Sequence, residues 1–208
     1  MIDGQYFFLP KFQWPAIDVD DIVKTHLNII DNDLLSNKRL ITQNVDGLDG
    51  KAGNQNYIPI HGRLDKALIY DEMDHFLELT DAPWDEVDEL TDGENNDIKI
   101  KLLDAFKISK ETKKPEMGKS LRPFILLFDE YYTDQYRMSE AESWMRNADH
   151  YIFMGTSFSV NITNIALRYA IQNNAFIEIV DPEPVDLRIP NIKYHKSKAQ
   201  DYILDKFS

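Results

Sequence analysis

The strongest constraint on how this chain can fold is a set of short apolar runs that lack polar alternation. They lie at residues 39–41, 123–128, 151–154, 176–180 and 192–194. A strand with one wet face alternates apolar and polar side chains, whereas a continuous run suits a strand covered on both faces, as in a parallel sheet. Helical spacing lies between some of these runs. One stripe is Ile22, His26, Ile29 and Ile30 within 19–35. A second is Ala141, Trp144, Met145 and Ala148 within 139–148, where Ser139 and Glu142 have the spacing of a capping box. A third is Ile162, Ile165, Ala166, Tyr169 and Ala170 within 161–173. Strands alternating with helices predict an α/β fold: a Rossmann-like, doubly wound, mostly parallel sheet.

Residues 71–98 break the pattern. They hold twelve acidic residues and no Lys or Arg, with Phe76, Leu77, Leu79, Trp84, Val87 and Leu90 interspersed. That is too apolar for a disordered acidic tail. The segment predicts a small, acidic, mainly helical insert over 63–120, packed around Trp84 and Phe76, with the polar stretch 111–120 as its return linker. Residues 1–62 and 121–208 then form the Rossmann-like domain.

Composition narrows the function classes. The chain has no cysteine, which excludes disulfides, thiol nucleophiles and thiolate zinc sites. Its five histidines are scattered with no pair at i, i+4, so no structural metal is expected. A net charge of −13 opposes the phosphate backbones of nucleic acids. It favours basic partners such as lysine-rich peptides, or serves solubility alone. No run approaches the roughly 20 apolar residues of a membrane span, and the opening MIDGQYFFLPKFQW lacks the pattern of a secretory signal. The expectation is a cytoplasmic protein with no membrane or nucleic-acid partner, homo-oligomerisation being left open.

Four clusters carry possible chemistry. The run 39–41 gives way abruptly to Thr42-Gln43-Asn44-Val45-Asp46-Gly47-Leu48. In open α/β sheets ligands bind at the carboxyl ends of strands, and two amides with a carboxylate suit a ligand carrying hydroxyls and an amide. The same residues also suit an ordinary Asx turn. His61 follows Ile58-Pro59-Ile60 and precedes Gly62, which allows a tight turn presenting a general base or simply a structural histidine. Gly155-Thr156-Ser157, ahead of the helix at 161, fits an anion site or a common turn. Asp181 directly follows the run 176–180, where a carboxylate accepts ribose hydroxyls or caps a turn before Pro182.

Taken in order, these clusters resemble the sirtuin family. The first matches its Thr-Gln-Asn-Ile/Val-Asp-x-Leu signature. Ala52-Gly53 and His61-Gly62 follow at the family's spacing. Arg122-Pro123 with Phe128-Asp129-Glu130 resembles Arg-Pro…Phe-Gly-Glu, and Gly155-Thr156-Ser157-Phe158-x-Val160 resembles Gly-Thr-Ser-Leu-x-Val. Val180-Asp181-Pro182-Glu183-Pro184 resembles Ile-Asn-x-Glu-Pro, and Thr25-His26 fits a family helix. The likeness spans roughly residues 22–62 and 121–204.

The resemblance implies an NAD-dependent protein-lysine deacylase. Sirtuins cleave nicotinamide from NAD while the acyl-lysine oxygen attacks the ribose, and the acyl group ends on ADP-ribose. It implies that His61 is the general base acting through a ribose hydroxyl. Gln43 would hold the nicotinamide ribose, with Asn44 and Asp46 on the nicotinamide side and Asp46 recognising its amide. Gly155, Thr156 and Ser157 would face phosphate or ribose, and Asp181 the adenosine ribose. Phe128, Asp129 and Glu130 would border the acyl-lysine tunnel, where an acylated protein segment pairs as an added strand. Other readings are an NAD glycohydrolase of sirtuin type, or an inactive module that binds NAD, ADP-ribose or a protein.

Departures accompany the likeness. The family's first strand, its Gly-Ala-Gly-Ile-Ser loop and its Phe-Arg loop have no match in this sequence. Tyr6-Phe7-Phe8-Leu9, a neighbouring chain or upstream residues would have to fill the strand's place. The four zinc cysteines are absent, and the acidic insert stands where they belong. Asp49 replaces a common His, Asp129 replaces Gly, and Asp181 replaces Asn.

Overall fold

The computed structural model describes residues 39–71, 76–86 and 96–207. The helix expected over 19–35, Thr25-His26 and Tyr6-Phe7-Phe8-Leu9 lie outside them. The chain forms two compact units. One gathers 43–47 and 61–136, and the other 39–42, 48–60 and 137–207 among the described residues.

The second unit holds parallel sheets. Strand β1 (Leu40–Thr42) pairs with β2 (Tyr57–Pro59), Ile41 opposite Ile58, and a short helix α1 (Leu48–Lys51) lies between them in sequence. Strands β6 (His150–Met154), β7 (Phe176–Val180) and β8 (Ile192–His195) run parallel in that order. The apolar side chains of β6 and β7 are covered on both faces. Tyr151, Phe153, Ile177 and Ile179 pack with Leu167 and Ala170 of helix α4 (Asn161–Gln172), which connects β6 to β7. On the opposite face Val180, Ile152 and Met154 meet Tyr202 and Ile203 of helix α5 (Ala199–Phe207). This is the Rossmann-like, doubly wound arrangement expected from the sequence.

Helix α3 (Met138–Asn147) precedes β6 and buries Ala141 and Met145, while Trp144 lies under the Arg39 guanidinium at 5.4 Å. The expected capping box does not cap it. The N-cap is Arg137, in the left-handed region at φ 60°, with no side-chain cap bond, and its guanidinium grips Glu140 instead. At the other end the Asn173 amide donates to the carbonyls of Met145, Arg146 and Ala148. One side chain thereby satisfies acceptors that a helix terminus leaves open.

The other unit corrects the insert's expected outline. Run 123–128 is not a parallel strand of the Rossmann sheet. Strand β5 (Leu121–Ile125) pairs antiparallel with β3 (Gly62–Ile69), whose other edge carries β4 (Thr80–Asp81). The unit therefore runs on to Tyr136, past the expected boundary at 120. Helix α2 (Asn96–Ala105) is the one longer helix among its described residues, so over 63–120 the expected helical insert has a strand at its heart; residues 87–95 lie outside the described set. Leu68, Leu77, Phe124 and Tyr136 form its core, with the Phe124 and Tyr136 rings stacked at 4.9 Å. Trp84 is an anchor as expected: it packs on Phe106 at 5.0 Å and donates Nε1–H to the Leu64 carbonyl at 2.6 Å. Phe76 is not, being 72% exposed; its neighbour Leu77 is buried instead, both its backbone groups bonded to the Gln135 amide.

Candidate functional site

Glycine builds the site around His61. Gly62 has φ +84°, and a Cβ there would meet the Phe124 carbonyl oxygen at 2.0 Å. Only glycine lets β3 run this close to β5. Directly before it, the His61 carbonyl accepts from the Leu126 amide at 3.0 Å, which fixes the backbone behind the ring. The segment 43–47 is tied to the same strand by a 2.8 Å bond from the Leu64 amide to the Val45 carbonyl. Gly47, at φ +72°, closes that segment.

The His61 imidazole is half-buried between two groups. Its Nε2 lies 2.9 Å from the Tyr132 hydroxyl, and the two rings stack at 5.8 Å. Burial pushes the His61 pKa below its ordinary value, and the Gln43 backbone opposes the shift without reversing it. A ring so shifted favours the neutral form, a proton acceptor. Gln43 is half-buried, and Asn44 and Asp46 face solvent.

Beyond β5 the chain turns at 127–130. Arg122 donates to Glu130 twice, at 2.5 and 2.9 Å, and to the Ile125 carbonyl; the Leu127 amide donates to the same carboxylate at 3.0 Å. Burial raises the Glu130 pKa, but the Arg122 and Leu127 bonds outweigh it and hold the carboxyl below its ordinary range. Glu130 thus clamps the turn, which thrusts Phe128 (86% exposed), Asp129 and Tyr131 into solvent. The turn also walls an apolar cavity of about 350 Å³ lined by Leu102, Phe106, Leu121 and Leu127.

The remaining candidates belong to the parallel sheet. Gly155 follows β6 at φ +59°, with open space where a side chain would be, and its amide bonds the Val180 carbonyl. Asp181 follows β7, so these two strand ends lie side by side. Its Oδ1 accepts from the Glu183 amide at 2.8 Å, the turn-capping role weighed as an alternative. Thr156 Oγ1 accepts from the Phe158 amide, and Ser157 Oγ meets Ser159 Oγ at 2.7 Å. Phe158 is buried at φ 57°, anchoring the loop ahead of α4.

His61, Gln43, Asn44, Asp46 and Phe128–Glu130 therefore share one unit, and Gly155–Ser157 and Asp181 share the other. Sequence reasoning missed Tyr132, whose contact spans 71 residues and leaves no local signal. It also missed Glu178, fully buried at the centre of β7, where its carboxylate meets His150, His195 and Lys206. Among the described residues no His/Cys/Asp/Glu group could hold a metal ion, and no helix is long and apolar enough to cross a membrane.

A model of the Sir2 family matches residues 21–162. The chain is 30% identical over 165 residues to NAD-dependent protein deacylase 1 of Caldanaerobacter subterraneus, a match covering 79% of this chain and 58% of that protein. It is 33% identical over 144 residues to NAD-dependent deacetylase sir2E of Dictyostelium discoideum, covering 63% and 38%. The match thus spans about half the length of these curated relatives. Among solved structures, a Sir2 homologue–NAD complex superposes with a TM-score of 0.61 at 23% identity, covering 88% of this chain and 62% of that one. A Sir2–p53 peptide–NAD+ complex gives 0.62 at 17% identity, covering 88% and 67%. At these identities the likeness concerns the fold.

Proposed function

This chain belongs to the Sir2 family, and from that premise we propose that it is an NAD-dependent protein-lysine deacylase, moving an acyl group from lysine to ADP-ribose with release of nicotinamide. The observation that carries the reading is the half-buried His61 imidazole at the start of the strand that is bonded, through the Leu64 amide and the Val45 carbonyl, to the polar segment 43–47. NAD supplies the anomeric carbon whose bond to nicotinamide breaks.

In this reading His61 accepts a proton from a ribose hydroxyl. Gln43 holds that ribose, and Asn44 and Asp46 take the nicotinamide, Asp46 accepting from its amide. By the family resemblance, the backbone at Gly155, where nothing blocks close approach, and the hydroxyls of Thr156 and Ser157 face phosphate or ribose. Asp181 bonds the adenosine ribose. Phe128 and Asp129, displayed by the Glu130 clamp, meet the acylated segment. A chain of net charge −13 suits a lysine-rich substrate. The insert needs no zinc in this reading, its apolar core and the Trp84–Phe106 contact standing in for the metal.

Incubation with NAD, with and without an acetyl-lysine peptide, tests the proposal. Nicotinamide release that requires peptide, with acyl-ADP-ribose formed, is the expected result. Release without peptide assigns a glycohydrolase instead. No release at high enzyme concentration rejects both.

A further inference from the structure

The Nε2 nitrogen of His61 lies 2.9 Å from the Tyr132 hydroxyl. In the neutral tautomer that carries its proton on Nδ1, Nε2 holds the lone pair and the hydroxyl donates to it. A general base needs that lone pair.

We propose that Tyr132 is a positioning residue for His61: its hydroxyl fixes the ring in the tautomer that carries its proton on Nδ1, and it stands where a ligand's hydroxyl must later donate. The proposal rests on His61 being the base of the reaction proposed above, but its structural half does not. Two features separate it from a chance contact. The rings are nearly parallel, at 19°, so Tyr132 supports the imidazole by its face as well as its hydroxyl. Tyr132 also follows directly on the turn that Arg122 clamps through Glu130, and the backbone before that turn bonds the His61 carbonyl through Leu126. Base and hydroxyl are thus braced against the same strand.

Charged groups on the surrounding elements are Asp46 of segment 43–47, the Arg63–Asp65 pair of β3, the Arg122–Glu130 pair of β5 and its turn, and Asp129. The two pairs are each internally compensated. The Tyr132 hydroxyl therefore becomes the group to remove.

Tyr132→Phe keeps the ring and deletes the hydroxyl. Imidazole nitrogen NMR on the intact protein, with His61 assigned through His61→Gln, reads tautomer and titration without needing turnover. Loss of a donor that favours the neutral ring should move the His61 midpoint up by roughly half to one pH unit and mix its tautomers. Unmoved resonances for His150 and His195 would show that the parallel sheet is intact. An unchanged midpoint and tautomer in Tyr132→Phe would overturn the proposal. The acid limb of NAD turnover should move up with the midpoint. A shifted midpoint with no turnover in either protein leaves Tyr132 in its role and sinks the deacylase reading; turnover with an unshifted midpoint does the reverse.

Discussion

The Phe124 carbonyl oxygen occupies the space where any side chain on residue 62 would have to begin, 2.0 Å from the position of its Cβ. Gly62 is thus a condition of the β3–β5 pairing. Gly62→Ala adds that collision to a left-handed backbone, for a destabilisation of about 2–4 kcal/mol. Chemical denaturation measures it. A loss below about 0.5 kcal/mol, the range of ordinary surface substitutions, would show that the two strands separate easily.

His61→Ala removes the proposed base but no ligand-holding group. Turnover should fall by about 10²–10⁴-fold while calorimetry finds NAD binding largely retained. In the wild type burial holds the imidazole below its ordinary 6.5, so the acid limb of the rate profile should have its midpoint under that value. A midpoint above 6.5 contradicts the buried, neutral ring.

Glu130→Gln breaks the clamp but leaves Arg122 half-buried. The cost should be about 1–3 kcal/mol, below that of a fully dry pair because both partners keep some solvent contact. The sign in pH follows from the depressed carboxyl. Its stabilisation is complete above the ordinary 4.5 and fades as the pH falls through the lower folded-state value. Melting temperatures of wild type and variant should converge in acid; parallel curves at every pH would refute the clamp.

Glu178→Gln tests the buried carboxylate of β7. Burial opposes its charge, but bonds from Lys206, His195 and His150 outweigh this and draw its pKa down to about 2. The variant should lose about 2–4 kcal/mol near neutral pH, discounted because Lys206 is partly exposed. The difference should shrink as the pH drops from 4.5 towards 2. Denaturant titrations along that range would expose a constant difference, the result inconsistent with an ionised Glu178.

Phe128→Ala separates substrate contact from folding. The ring is 86% exposed, so stability should stay within about 0.5 kcal/mol of wild type. In the deacylase reading the peptide KM rises while the NAD KM holds. Equal peptide KM values would remove Phe128 from the substrate surface.

The sequence made the parallel sheet legible because β6 and β7 are covered on both faces. Runs 151–154, 176–180 and 192–194 needed no partner to be recognised, and each is seen within one residue of its expected ends. Strand β3 was not legible. GRLDKALI mixes charges into its middle, and its pairing with β5 shifts register between Arg63 and Ala67, so neither continuity nor strict alternation survives in the letters. Phe76 and Leu77 looked equivalent until the Gln135 amide, 58 residues away, selected Leu77 for burial. The Gly62 turn was readable from one letter. The hydroxyl beside His61 was not, since Tyr132 belongs to a polar stretch with no periodic pattern of its own.

Antiparallel pairing of β3 with β5 also makes the acidic insert interchangeable. Residues 70–120 leave from and return to adjacent strands, so they form a closed excursion whose ends are already fastened. Doubling such an excursion costs only about 0.6 kcal/mol in closure entropy. Whatever fills it, the fastening strands can keep the imidazole's backbone in place.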